Sequence, residues 1–201
     1  APHDPRRCDH AEHAAEQLGY ALDVLEARGD LEPDGPEARQ FVLDYLKDVA
    51  MHEVGHALGL RHNFRASRVY SDAQLSDPDF TAGRALTGSV MEYASINLPE
   101  PGQPHPAPYQ STLGPYDYWA IEYGYSFEKD LKPILSRVAE PDLVYATDED
   151  TFGIDPLATR YDFAKDPLTY AENQIALVKE HRARLLDKFV KDGESWSVPS
   201  T

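Results

Sequence analysis

Between Leu18 and Leu58 the apolar residues recur at intervals of three and four, the spacing that lines one face of an α-helix. Leu18, Ala21, Leu22 and Leu25 predict an amphipathic helix over Asp9 to Arg28 that stops at Gly29-Asp30. Pro36, whose missing N–H would find no partner in a first turn, starts a second helix that runs to about Leu58. Its stripe Val42, Tyr45, Val49, His52 and His56 predicts that both histidines continue the buried face, and Gly59 ends it. From Arg61 to about Gly114 the periodicity gives way to turn chemistry, with LPEPGQPHPAP at its centre, which predicts ordered loop wrapping near the second helix. Helical spacing returns over Tyr116 to Tyr123, Phe127 to Ala139 and Pro167 to Val190, the last with Leu168, Ala171, Ile175, Val178, Leu185 and Phe189 as its apolar set. No run alternates as a half-buried strand does. The expected class is mainly α, with TDEDTFGIDPLATRYDFAKDP as a solvated acidic loop between the last two helices.

The chemistry concentrates in AMHEVGHALGLRHNF, Ala50 to Phe64. One histidine on an apolar helix face is usually a hydrogen-bonded core residue. Here His52, Glu53, His56, Gly59 and His62 together have the spacing H-E-x-x-H-x-x-G-x-x-H. At this composition that pattern arises by chance on the order of once in ten thousand chains. Residues i and i+4 share a helix face, so neutral imidazoles of His52 and His56 can converge on one ion. Gly59, able to take a positive φ, lets the backbone leave the helix so that His62 swings back as third ligand. Three protein ligands leave a fourth position open to water, the mark of a catalytic zinc. Glu53 beside His52 is then placed to take a proton from that water and pass it to a leaving amine.

These positions resemble, without a departure, the zinc motif of the metzincin-clan metallopeptidases. SVMEY, Ser89 to Tyr93, is similar to that clan's methionine-bearing turn, with Met91 as its methionine. HEVGHALGLRHNF, SVMEY and GPYDYWAIEYGY, in that order, most resemble the bacterial zinc-dependent metalloproteases with a met-zincin domain, with pappalysin-like enzymes next. The resemblance implies a zinc-dependent endopeptidase that holds Zn2+ through His52, His56 and His62. It implies Glu53 as general base, Tyr93 as a zinc ligand or a donor to the oxyanion, and Gly59 and Met91 as structural support. Asp117 in the GPYDYWAIEYGY helix either fixes a group behind a ligand or caps that helix. The clan's catalytic region is α+β, with a sheet ahead of the active-site helix whose edge pairs with extended substrate. The residues before Pro36 read as helix, so that N-terminal sheet is expected to be missing here and supplied by an upstream part of the same precursor. The isolated chain would then hydrolyse peptides poorly, and the alternative is a zinc-stabilised, non-catalytic binding or structural module with an incomplete cleft. The expected division is an N-terminal helical segment over 1–35, a zinc-binding catalytic region with active-site helix and Met-turn over 36–125, and a helical C-terminal extension over 126–201.

Composition narrows the partners. A formal net charge of -16 over 201 residues excludes a surface built for nucleic-acid phosphates and leaves a peptide or protein substrate. No run is long and apolar enough for a membrane span and the first residues hold no apolar leader core, so a soluble chain, processed or excised from a longer one, is expected. A single cysteine, Cys8, excludes an internal disulfide framework, and the family resemblance suggests a secreted or periplasmic setting. His10, His13, His105 and His181 read as surface or capping residues, and Asp148, Glu149, Asp150, Asp155 and Asp162 as solvated acids, with calcium the lesser alternative for want of EF-hand spacing. Phe41, Leu46 and Leu58 are expected on the face of the zinc helix that meets the absent sheet. They would be left open there unless the first helix closes over them.

Overall fold

The computed structural model describes Cys8, residues 10–189 and residues 192–193, with side chains of the last helix described through Arg184. Among the described residues the chain is mainly helical and forms no strand. The first helix, α1, spans His10–Arg28 and buries Ala14, Ala21, Val24 and Leu25. The second, α2, spans Pro36–Ala57 with Pro36 in its first turn, close to the predicted limits. Both stop by the same device. Gly29 takes φ +81, with Gly29 N donating to Glu26 O at 2.9 Å and Asp30 N to Leu25 O at 2.9 Å. Gly59 takes φ +84, with Gly59 N donating to His56 O at 2.9 Å and Leu60 N to Gly55 O at 3.0 Å. A left-handed glycine after the last turn satisfies carbonyls that a helix end otherwise leaves unpaired.

The buried face of α2 is rotated from the predicted one. Ala38, Asp48, His52 and Gly55 are buried, Tyr45, Val49 and His56 are half-buried, and Val42 lies outside. Phe41 does not face an open side. It packs against the cluster of Leu25, Leu31 and Ala38, and with Tyr45 it meets Tyr109 from the proline-rich segment, so α1 and that segment close the first half of α2. The proline-rich run therefore wraps the α1–α2 seam, with Ile96 and Leu98 filling the gap and Arg28 donating to Pro99 O at 2.8 Å. Leu43, Leu46, Val54 and Leu58 remain exposed along the opposite side, as expected for Leu46 and Leu58.

The long middle segment holds short helices rather than plain loop: α3 (Asp72–Leu75), closed by a capping box between Ser71 and Gln74, and α4 (Pro78–Thr81), capped by Asp77. Leu75 meets Leu86, Phe163 and Ala164 in a second core. Helix α5 covers Pro115–Tyr125, and its Trp119 packs on Ile134 and Leu143 while donating to Ile134 O at 2.8 Å. The helix expected over Phe127 to Ala139 is shorter. It begins at α6 (Lys132–Leu135) and tightens into a 3-10 turn over Ser136–Ala139, leaving Phe127 fully exposed. Pro133 explains the loss, because its ring cannot sit in a helix interior and its missing N–H suits a first turn.

Helix α7 spans Pro167–Phe189, but its predicted apolar stripe faces the wrong way: Leu168, Ile175 and Val178 are exposed. Val190 and the side chains of Leu185 and Phe189 lie outside the described residues. What faces inward is Leu177, buried, with Glu180 held by Arg28 of α1 and Asn173 donating to Asp72 at 3.1 Å. Polar partners set the rotation of this helix. The acidic segment before it is not solvated loop either, since Ala158, Phe163 and Ala164 are buried and Arg68 reaches in to pair with Asp162 and donate to Ala164 O at 2.8 Å.

The Arg28–Glu180 pair gives a pH test. Arg28 donates to both Glu180 oxygens, at 3.1 and 2.7 Å, and these bonds hold the Glu180 carboxyl below its usual range. A depressed carboxyl stabilises the fold above its unfolded value of about 4.3 and loses that contribution as pH falls through the lower folded value. Glu180→Gln should cost about 1 kcal/mol at neutral pH, limited by solvent screening. Urea titrations at pH 7 and at acid pH should show that deficit shrinking on acidification.

Candidate metal centre

His52 and His56 stand one turn apart on α2, and the reversal at Gly59 carries His62 back to them. The His62 ring centroid lies 4.7 Å from that of His56 and 5.4 Å from that of His52. Each Nδ1 is tied. His52 Nδ1 donates to Val90 O at 2.7 Å, His56 Nδ1 to Leu60 O at 3.0 Å, and His62 Nδ1 to the two Asp148 oxygens at 3.1 and 3.0 Å. Carbonyls and carboxylates only accept, so these partners assign the proton to Nδ1 and leave a lone pair on each Nε2. His56 Nε2 and His62 Nε2 are 3.1 Å apart with no proton to share between them. That contact is repulsive by itself and favourable around a cation. It is also near the separation of about 3.3 Å that two nitrogens at about 2.0–2.1 Å subtend in a tetrahedral zinc site. Burial, then the neighbouring His10, pulls the His52 imidazolium down to about 2, so this ring is neutral at any working pH, as a ligand must be. The donor set fits zinc.

The segment Ser89 to Tyr93 packs against α2. Met91 is fully buried, and its Sδ lies 2.2 Å from where a Cβ on Gly55 would stand, so only glycine lets the turn come this close to α2. Asp117 does both things expected of it. It accepts from Gly114 N at 2.8 Å, closing the start of α5, and from Val90 N at 2.9 Å and Ser89 Oγ at 2.5 Å, holding the residue whose carbonyl orients His52. Asn63 binds the other side, with its N–H on Met91 O at 3.0 Å and its side chain on Val144 O at 3.0 Å. Tyr93 is buried with its ring 4.7 Å from His62, inside the site, whereas Glu53 is exposed on α2 next to His52. Glu92 accepts from Ser67 N and Tyr93 N at 3.0 and 3.1 Å, and burial, then Asp162, pushes its carboxyl well up.

Several participants were not legible in the sequence. Asp148 lies 86 positions from the His62 it orients, in a segment read as solvated. Arg160 secures it, donating to Asp148 at 3.0 Å while its guanidinium covers Phe64 at 4.7 Å. The remaining acids diverge to separate partners: Glu149 to Arg61 at 2.7 Å, Asp150 to Thr147 N at 2.8 Å, Asp155 to Arg65 and Asp162 to Arg68. His10 is no surface residue. It is buried, stacks on His52 at 4.3 Å and on Tyr93 at 5.0 Å, and lies 3.9 Å from Asp48, whose carboxyl burial raises to about 7. His13 sits half-exposed 4.7 Å from Tyr161, His105 exposed near Asp30, and His181 edge-on to Tyr20. The fourth side of the site is also not open: Cys8 Sγ joins the three histidines in a group whose ligand atoms all lie within 4.8 Å of one another.

A family model described as Met-zincin matches residues 34–200. The chain belongs to the Met-zincin family. No curated protein and no solved structure matches it. Membership places the chain in the metzincin clan, and with the histidine and cysteine cluster it points to a zinc-dependent peptidase. The histidines, Met91, Asp117 and Asp148 of this Met-zincin chain all fall inside the matched stretch, while Cys8 and α1 precede it.

Elemental analysis should find one zinc per chain. Asp148→Asn should keep the fold and weaken zinc about 10–100-fold in chelator competition, the usual cost of losing a carboxylate behind a histidine ligand. Gly55→Ala should displace Met91 and cost about 1–3 kcal/mol in denaturation, as overpacking does.

Proposed function

We propose that this Met-zincin chain carries the catalytic centre of a zinc endopeptidase. The observation that supports the reading most is the convergence of three Nε2 lone pairs, each with its Nδ1 tied to a fixed acceptor, beside Tyr93 and Glu53. His52, His56 and His62 would hold the metal, which supplies Lewis acidity when bound. Glu53, a solvent-facing carboxylate one residue from the most buried ligand, takes the proton of the attacking water and delivers it to the departing amine. The Tyr93 hydroxyl donates to the oxygen of the scissile carbonyl as negative charge gathers there. Its burial fixes the ring, so little reorganisation accompanies the reaction.

Extended substrates align by pairing with a strand edge. Among the described residues none is formed, and Leu43, Leu46, Val54 and Leu58 leave an apolar outer side on α2. Both facts support an upstream part of the same precursor as the element that completes the cleft, and slow peptide hydrolysis by this chain alone. The second reading is a zinc-stabilised module without turnover. A thiol on the fourth side of the site favours it, because closed four-ligand sites are the structural kind.

With the upstream part present, Glu53→Gln should retain zinc and lose roughly 10²- to 10⁴-fold in kcat/KM on a quenched peptide library. Tyr93→Phe should lose on the order of 10²-fold. A Glu53→Gln enzyme of near-normal rate would refute the proton shuttle, and a protein with zinc but no turnover under any condition would leave the non-catalytic module standing.

A further inference from the structure

We propose that the cleft between α4 and the start of α5 binds a short peptide with free termini and an aromatic side chain, at a site separate from the metal centre. The cleft has a volume of about 500 Å³, and none of the three histidines lines it. Its walls are aromatic. Tyr70 and Phe80 meet edge to face at 5.4 Å, and the exposed ring of Tyr118 stands on the α5 side. The floor is fixed by backbone: Gly114, between the lining residues Leu113 and Pro115, crosses Gly88 so closely that a Cβ on it would stand 2.2 Å from Gly88 O, and Tyr116 N donates to that oxygen at 2.9 Å. A preformed concavity with apolar walls and a few polar groups is the usual make-up of a small-ligand site.

The polar groups decide the ligand. Arg84 and Asp79 both line the cleft. Arg84 is held before any ligand arrives, because its Nε donates to Phe80 O at 3.1 Å and its guanidinium covers the Phe80 ring at 4.4 Å. In this acid-rich chain Arg28, Arg61, Arg65, Arg68, Arg137 and Arg160 each pair with a carboxylate. Among the described residues Arg84 has no such partner, and Asp79 has no basic one. The outer nitrogens of Arg84 are thus left for a carboxylate, which a guanidinium fork binds well, and Asp79 for an ammonium. The two side chains stand too far apart to pair with each other, so termini separated by a peptide bond match them better than the adjacent charges of a free amino acid. The rings then take the ligand's own side chain. Peptides of this kind are products of the reaction proposed above, but the chemistry of the cleft stands without it.

The test is calorimetric titration of the full chain with the dipeptide alanyl-phenylalanine, in the presence of a chelator so that no metal ion can hold the ligand. A Kd on the order of 10⁻⁴ M is expected, the affinity usual for a ligand of this size. Arg84→Gln and Asp79→Asn should each weaken binding about 10- to 100-fold, the effect of losing a hydrogen bond to a charged group. Both side chains are exposed, so the fold should be kept, which circular dichroism checks. The C-terminal amide of the dipeptide should bind the wild type weakly and lose nothing further on Arg84→Gln, and the N-acetylated dipeptide should stand in the same relation to Asp79→Asn. These blocked probes test both charges on the wild type even if a variant unfolds. No binding at millimolar concentration would overturn the proposal, as would equal affinity for free and blocked dipeptides. Affinity unchanged in both variants would put the ligand elsewhere and overturn it too. L-Phenylalanine binding as tightly as the dipeptide would show an amino-acid site instead of a peptide site. Because metal is absent throughout, failure of the zinc reading would leave all of these results unchanged.

Discussion

The hydrogen bond from His52 Nδ1 to the carbonyl of Val90 joins the two halves of the candidate metal centre, and much of the surrounding structure keeps those two groups together. It decides which nitrogen of His52, the most buried of the three histidines, carries the proton. It also fixes the turn at Ser89 to Tyr93 beneath α2. That turn is reinforced from three directions: Asp117 holds its amide and hydroxyl groups, Asn63 takes the Met91 carbonyl, and Met91 fills the space that a side chain at Gly55 would need. Each contact is modest alone, but each restricts the same few atoms, and a ligand held to within a fraction of an ångström is the condition for a useful metal site.

A chain without strands among its described residues must tie distant segments together by other means, and this one uses buried charge. Arg68, Asp162 and Glu92 lie within the core, linked through Ser67, Thr159 and the backbone of Tyr93 and Ala164. Burial raises both Glu92 and Asp162 from their ordinary values, Glu92 well above, so the arrangement stands on hydrogen bonds as much as on ionic attraction. Its consequence is positional. It folds the segment after Asp148 back over the zinc motif, which is how a carboxylate from the C-terminal part of the chain becomes the orienting partner of His62.

The two sides of α2 do opposite work. Its inner side is committed to ligands, to Met91 and to α1, while its outer side presents apolar residues to solvent. Such a helix is a shared wall: one surface carries the chemistry and the other is suited to a further layer of structure. Cys8, two positions ahead of α1 and outside the family-matched stretch, brings its Sγ to 3.5 Å from His52 Nε2 and 3.3 Å from the Tyr93 hydroxyl.

What the sequence determined by itself is what depends on neighbours along the chain. The limits of α1 and α2, the glycine stops and the convergence of His52, His56 and His62 were legible, because helical spacing and a positive φ at Gly59 act over a few residues. The rotation of α2 and α7 about their axes, the broken helix before Pro133, the inward fold of the acidic segment, and the placement of Asp148, His10 and Cys8 around the ligands were decided only by tertiary structure. Leu168, Ile175 and Val178 make a convincing stripe on paper, yet α7 turns on its Glu180 and Asn173 because those polar groups had partners waiting on α1 and α3. Periodicity records which residues could share a face; which face is buried depends on contacts between segments far apart in the chain, and no local pattern carries that information.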